Sequence, residues 1–274
     1  MQASSKKVKR SLATNSNSVK AFAQNPVFSA IENGVLFRAP LPMSASWLQH
    51  IRTAFLDLIF PPRCQGCKTL GAWYCAECIQ NLVYVQPPFC ARCGQELRQM
   101  RECAACRRHP LTDALDGLRA VAHHDGTLRR AIHALKYERL SAVAQPLGDL
   151  LAAYLAQHPL PCTLIIPVPL HAERQAERGY NQSALLAAVV AQRSHKPVNT
   201  RALVRHRYTR AQVGLNESER RQNLIEAFRC EARLEGEQVL LLDDVCTTGS
   251  TLSECAQVLR GAGARTIWGL TLAR

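Results

Sequence analysis

No stretch of this chain is apolar for long. The longest uninterrupted apolar run, residues 184–191, holds 8 residues, far below the roughly 18 that a membrane-spanning helix requires. Such a helix is excluded. The N-terminus also lacks the order of basic region, apolar core and small-residue cleavage site that marks a secretory signal, so nothing points to an oxidising compartment and a cytoplasmic location is expected. Acidic residues are few, with 21 Asp plus Glu against 34 Lys plus Arg and a formal charge of +13. That imbalance favours polyanions: nucleic acid, phosphorylated substrates or an acidic lipid surface. None of the 14 glycines precedes a lysine, which removes the G-x-x-x-x-G-K-[ST] loop and with it the P-loop NTPases.

What the chain does have is cysteine. Of 12 in all, eight fall into four C-x-x-C pairs: Cys64 and Cys67, Cys75 and Cys78, Cys90 and Cys93, Cys103 and Cys106. Without an oxidising setting these read as metal ligands before disulfides. Each pair can form a knuckle that presents two thiolates to one Zn²⁺, and Gly66 and Gly94 sit where such turns tolerate unusual φ. Eight thiolates suit two closed Cys₄ sites, structural rather than catalytic because four protein ligands leave no open position. Sequential pairing closes the shorter loops, and a crossed pairing uses the same residues. Iron–sulfur ligation is the alternative chemistry. Arg63, Lys68, Arg92, Arg98, Arg101, Arg107 and Arg108 surround the knuckles, either as contacts to a nucleic-acid backbone or as a basic rim on a stabilising ribbon.

The 274 residues allow one large domain or two modest ones with a tail. Residues 1–42 carry six basic residues among Ser, Asn and Ala with Glu32 as their one acid, which predicts a disordered basic leader. The same composition fits an organelle transit peptide, or a gene start extended upstream of Met43. Over 43–62, Trp47, Ile51, Phe55, Leu58 and Ile59 share one helical stripe that Pro61 and Pro62 end, predicting an amphipathic helix. The ribbon module follows over 63–112. From 113 to 274 the pattern alternates: strands near 118–122, 163–168, 239–242 and 266–272, and helices near 127–137, 142–157 with a break at Pro146, 181–193 and 251–260. Alternation of this kind implies a parallel sheet covered by helices on both faces. No internal repeat is read beyond the C-x-x-C units.

The most informative stretch is Val239-Leu-Leu-Leu-Asp243-Asp244-Val-Cys-Thr247-Thr248-Gly249-Ser250-Thr251, with a helix directly after it. Small-residue backbone N–H groups at a helix N-terminus, with the hydroxyls of Thr247, Thr248, Ser250 and Thr251, can surround a phosphate. The adjacent carboxylates can accept hydrogen bonds from ribose hydroxyls, although two acids before a helix can also simply cap it. In a doubly wound sheet this loop lies at the carboxyl edge, where ligands bind.

At these residues the sequence resembles the type I phosphoribosyltransferases, whose signature for phosphoribosyl pyrophosphate (PRPP) is an apolar strand, two acids and a T-T-G-[ST] loop. From about residue 56 to the end it is more similar still to the ComF/GntX family, also called competence protein F or ComFC. That likeness rests on Phe60-Pro-Pro-Arg-Cys64, the four pairs, Leu135-Lys136-Tyr137, Pro167-Val168-Pro169-Leu170, Arg178-Gly-Tyr-Asn-Gln182, Thr209-x-x-Gln212, Arg220-Arg-x-Asn223 and Phe228. It implies a type I phosphoribosyltransferase-like, Rossmann-like α/β fold behind a double zinc ribbon. It further implies that Asp243 and Asp244 hold the ribose of PRPP, that residues 247–251 hold its 5′-phosphate, and that Pro167, Val168, Pro169 and Leu170 form the pyrophosphate loop. Arg174, Arg178 and Lys136 would meet the diphosphate, with Mg²⁺ bridging its oxygens. The competence association implies single-stranded DNA as a partner, beside a competence helicase or DNA-processing proteins. No residues for an acceptor base stand out, since unpaired histidines such as His123, His124 and His133 are more often packing or surface groups. PRPP is therefore either a substrate or a ligand held without turnover.

Overall fold

The computed structural model describes residues 61–97, 103–108, 114–207 and 227–274. The expected leader, the helical stripe of 47–60, and Thr209, Gln212, Arg220 and Asn223 lie outside the described residues. Two short helices, α1 (Ala76–Gln80) and α2 (Ala104–Arg108), belong to the cysteine module. Then follow β1 (Gly117–Ala122), α3 (Gly126–Tyr137), α4 (Ala144–Gln157), β2 (Leu164–Pro167), α5 (Ala172–Arg178) and α6 (Gln182–Ser194). The chain closes with β3 (Leu203–Arg205), β4 (Phe228–Cys230), β5 (Gln238–Val245), α7 (Ser250–Gly261) and β6 (Thr266–Ala273).

Val239, Leu240, Leu241 and Leu242 are an apolar run without alternation, the pattern of a strand covered on both faces. All four are fully buried. The strand they build, β5, lies inside a four-stranded sheet of order β1-β6-β5-β2, every pair parallel. Helices α4 and α6 pack on each other and cover one face. On the other, Val239, Leu241 and Ile166 share a core with Leu252, Cys255 and Leu259 of α7, with Leu203 and Phe228 of the antiparallel β3–β4 pair, and with the last four ribbon cysteines.

The expected parallel α/β architecture is therefore present, with three local differences. The break near Pro146 falls earlier: a single 3₁₀ turn, Ser141–Val143, precedes an unbroken α4. Pro146 stands in the first helical turn, where its missing N–H would have no intrahelical acceptor. Helix α5 was not legible because its seven residues bury none of their side chains, leaving no apolar stripe to read. The β3–β4 pair escaped notice because its strands are three residues each and far apart in sequence.

The cysteine module and the sheet form one compact unit, Pro62–Arg274. Strand β1 is an edge strand, and an uncovered edge invites unwanted pairing. The ribbon takes that edge: Val85 N donates to Val121 O at 3.1 Å, His123 N to Val83 O at 2.8 Å, and Leu118 N to Arg92 O at 2.7 Å. The Arg119 guanidinium lies between two rings, 4.6 Å from the Phe89 centroid and 5.0 Å from that of Trp268. Gly117 leaves space for that Trp268 ring, since a Cβ there would come within 2.4 Å of it.

The ribbon also contains a longer repeat than the C-x-x-C units. Cys64 N donates to Thr69 O and Lys68 N to Cys64 O; Cys90 N donates to Gln95 O and Gly94 N to Cys90 O in the same pattern. The residue after each second cysteine takes the left-handed conformation, Lys68 at φ 69° and Gly94 at φ 70°. Gly94 thus serves the turn as expected, but Gly66 does not. Its φ is ordinary, and its hydrogen is needed because a Cβ would stand 2.6 Å from Cys78 Sγ. At Gly94 a Cβ would also meet Leu118 O at 2.4 Å, so the turn and the docking on β1 demand the same glycine. Gly94→Ala should therefore cost about 2 kcal/mol or more, from left-handed strain plus overpacking. Lys68→Gly, at the matching exposed turn, should change stability by less than about 1 kcal/mol. Denaturant midpoints of the two variants check this, and equal effects would contradict it.

Candidate functional site

The eight paired cysteines gather into two clusters. The Sγ atoms of Cys64, Cys67, Cys75 and Cys78 lie within 4.8 Å of one another, and so do those of Cys90, Cys93, Cys103 and Cys106. Pairing is thus sequential, not crossed. Cys64–Cys78 is 3.6 Å, Cys67–Cys75 3.5 Å and Cys93–Cys103 3.5 Å. Thiolates about 2.3 Å from a tetrahedral ion stand roughly 3.8 Å apart, whereas a disulfide needs about 2.05 Å. Both sets fit a closed structural Zn²⁺ site. Backbone N–H groups of Gly66 and Cys75 each reach Cys64 Sγ at 3.3 Å, and Cys106 N reaches Cys103 Sγ at 3.3 Å. Such donors favour the thiolate that a metal requires. Thr69, 3.1 Å from Cys67, pulls that thiol down to about 6.

The two clusters sit differently. In the first, Cys67 is exposed, and the knuckle leans on α3 through Tyr74 Oη to Thr127 Oγ1 at 2.9 Å and Arg130 Nε to Gly66 O at 2.7 Å. The second is buried throughout and belongs to the core beneath the sheet. Of the basic residues around the knuckles, Arg63, Lys68 and Arg107 are exposed and Arg92 partly so. Arg98, Arg101 and the Arg108 side chain lie outside the described residues.

The second candidate site lies at the carboxyl ends of β2 and β5, which are neighbours because Pro167 pairs with Leu242. A cleft of about 210 Å³ opens there. It is lined by Asp243, Asp244, Thr247, Thr248, Gly249, Ser250 and Thr251 from the β5–α7 loop, by Val168, Pro169 and Leu170 after β2, and by Lys136, Arg174 and Arg178. Every residue named from the sequence for this site is brought together except Pro167, which remains in the β2 ladder. Gly249 takes φ 83° at the N-cap of α7, and Thr248 Oγ1 lies 2.8 Å from Ser250 Oγ. A phosphate placed on this loop would face the positive end of a 12-residue helix.

The two acids have separate roles. Asp243 Oδ1 accepts from Ser183 Oγ at 2.7 Å and from Asp244 N at 2.9 Å. Burial, then the neighbouring Asp244 charge, push the Asp243 carboxyl up to about 7. Asp244 is 2% exposed; Lys136 Nζ lies 2.9 Å from its Oδ1, while its buried Oδ2 has no hydrogen-bond partner among the described residues. Although burial opposes a charged ammonium, Asp244 more than offsets it and holds Lys136 above the usual lysine range.

The loop between α5 and α6 is explained residue by residue. Gly179 ends α5 at φ 88°, Tyr180 Oη donates to Leu135 O at 2.7 Å, and Asn181 caps α6 while its Nδ2 donates to Val168 O at 3.0 Å. Arg178 donates to Gln182 Oε1. Sequence reading missed Arg205, Tyr137 and Gln182 as cleft residues. Tyr137 and Gln182 sat inside quoted motifs without an assigned role, and nothing in sequence links β3 to this edge. His171, capping α5, makes that link by pairing with Arg205. Among the described residues of the lining, Lys136, Arg174, Arg178 and Arg205 set four cations against two carboxylates, a balance suited to a ligand with several negative charges.

A zinc-ribbon protein with a cation-lined α/β cleft is the class defined by these features, and comparison with known proteins agrees with the first half of that description. A family model described as a double zinc ribbon domain matches residues 55–107. The chain is 33% identical over 219 residues to the DNA utilization protein YhgH of Escherichia coli O157:H7, covering 77% of this chain and 96% of that one. It is 35% identical over 200 residues to competence protein F of Haemophilus influenzae, covering 68% and 85%. It is 26% identical over 213 residues to competence protein ComFC of Bacillus subtilis, covering 73% and 83%. The chain belongs to the ComF (competence protein F) family. Among solved structures it is similar to a glutamine PRPP amidotransferase from B. subtilis, with 20% identity, TM-score 0.37, and coverage of 52% of this chain and 30% of that one. Among the described residues no helix is long and apolar enough to cross a membrane.

Two outcomes are expected from this geometry. The protein should carry two zinc ions per chain by elemental analysis; Cys67→Ser should lose one yet still melt cooperatively, whereas Cys103→Ser should abolish the cooperative melt. Asp243 binds its proton more tightly folded than unfolded, where a carboxyl titrates near 4, so its contribution to stability falls as pH rises from about 4 to 7. Asp243→Asn, measured without Mg²⁺, should raise Tm above wild type at pH 8, with the difference closing toward pH 4. A Tm difference that does not vary with pH would contradict the assignment.

Proposed function

We propose that the cleft binds PRPP with Mg²⁺, and that the protein is a cytoplasmic factor in the uptake and handling of single-stranded DNA. One observation carries the ligand reading: the two acids, the T-T-G-S loop, the loop after β2 and four cations converge on one cleft. The 5′-phosphate would sit on residues 247–251 and the ribose hydroxyls would donate to Asp244, whose Oδ2 is buried without a partner among the described residues. The diphosphate would face Leu170, Arg174, Arg178 and Lys136, with Arg205 added to the set. Mg²⁺ arriving with the diphosphate would supply neutralising charge to it beside these residues. Asp243 is the positioning acid, fixed by Ser183. The DNA reading draws on the names of the relatives, on the +13 charge and on the exposed basic residues of the ribbon; a competence helicase or DNA-processing proteins are the partners it suggests.

A second reading, phosphoribosyl transfer to an acceptor, draws on the same cations. Transfer passes through a cation-like ribose as pyrophosphate departs, so a protein contributes mainly by positioning and by stabilising the leaving charge. Lys136, Arg174 and Arg178 would do the latter.

Calorimetric titration of PRPP with Mg²⁺ should show one saturable site. Asp244→Asn should weaken it at least about tenfold, the lower end expected for a charged hydrogen bond, while retaining a cooperative melt. Unchanged affinity would remove the ligand reading. Oligonucleotide binding that weakens steeply with salt supports the DNA role, and acceptor-dependent release of pyrophosphate supports transfer.

A further inference from the structure

Five large hydrophobic side chains are exposed among the described residues: Leu70, Val83, Tyr137, Val198 and Val204. Of these, Tyr137 alone lines the cleft, and it is the most exposed at 62%. A phenol ring left in water beside a strongly polar site is a feature the phosphate and ribose contacts do not account for. The ring is also braced. It stands in the last turn of α3, directly after Lys136, so the lysine–Asp244 contact fixes the backbone from which it projects. The His133 ring lies one helical turn earlier with its centroid 4.9 Å away, and His133 Nδ1 is itself 3.2 Å from Glu138 Oε1. On the cleft side, the Arg178 guanidinium lies 5.5 Å from the Tyr137 centroid and is tied to Gln182.

We propose that Tyr137, with Arg178 beside it, is a stacking site for a planar nitrogenous base at the mouth of the cleft. A flat heteroaromatic ring is the ligand that matches a braced phenol and a planar guanidinium, because both offer π-stacking faces and the guanidinium adds a cation. Stacking on an aromatic side chain tolerates any base, so the site selects the chemical class and leaves the choice among bases to other groups. Two sources present that chemistry here: a free nucleobase beside bound PRPP, or a base of a single strand. As a neighbour of bound PRPP, this assignment rests on the PRPP reading of the cleft; as a base site it does not.

The test uses the full chain, with adenine, uracil and a short thymidine oligonucleotide as probes, each with and without PRPP and Mg²⁺. Saturation-transfer NMR reports ring contact and calorimetry the affinity. Wild type should bind at least one probe saturably, Tyr137→Ala should weaken it at least about fivefold, the lower end for losing one stacking partner, and Tyr137→Phe should retain it. Free-base binding identifies the small-molecule source, and oligonucleotide binding alone identifies the strand. No saturable binding of any probe, or equal binding by wild type and Tyr137→Ala, overturns the proposal. Calorimetry of PRPP with wild type tests the PRPP reading separately: base binding without PRPP binding would end that reading and leave the stacking site standing.

Discussion

The ladder that joins Pro167 to Leu242 is the contact on which the rest of the site depends. The pairing of β2 with β5 ends at Pro167 and Leu242, so the loop of residues 168–170 leaves β2 beside the acids 243–244 of β5. The carboxyl edge of a parallel sheet is where helix N-termini and loops converge. Here that convergence is held by the apolar run of β5, whose residues 239–242 have no contact with water. Four such side chains each contribute roughly 1.5–3 kcal/mol of burial, and they hold a strand in which two adjacent acids, Asp243 and Asp244, directly follow them. Stability made in the middle of β5 thus supports an electrostatically unfavourable pair near its carboxyl end.

That pair is resolved by unequal treatment of the two carboxylates. Asp243 is bound by Ser183 and by the backbone, while Asp244 is matched to Lys136 on one oxygen only. Removing a partner from a buried charge is costly, which ties the conformation of the last turn of α3 to the acids across the cleft. Lys136, Tyr137 and Tyr180 connect to one another through that turn, because Tyr180 donates to Leu135 O. A ligand that enters meets a cleft already organised by these contacts.

The zinc ribbon is part of the same structure. Its segment around Tyr84 closes the sheet edge at β1, and its second cysteine cluster shares a core with Val168, Cys246 and Leu252, which also line the cleft. Cys246 N donates to Ala273 O, and Arg274 donates to Cys93 O. The second cluster is therefore continuous with the sheet that shapes the cleft, whereas the first is partly exposed and leans on α3.

Much of this was legible in the sequence because the signals were local. The C-x-x-C spacing defined the clusters, the unbroken apolar run of 239–242 marked a strand covered on both faces, and the acids followed by T-T-G-S marked a loop that leads directly into a helix, as the structure displays. Gly66 was legible as a special position but for the wrong reason, since its demand comes from the Cys78 sulfur rather than from φ. The sequential pairing of cysteines, the role of Ser183 beside Asp243, the arrival of Arg205 through the short β3, and the placement of the Tyr137 ring at the cleft mouth were decided by tertiary structure alone. All but the cysteine pairing depend on groups distant along the chain, 60 residues in the case of Ser183 and Asp243, and a linear pattern holds no record of which distant segments will pack together. The sequence by itself determined the chemistry available to this protein; the packing of α3, α6 and β3 around the end of β5 decided which of those groups meet.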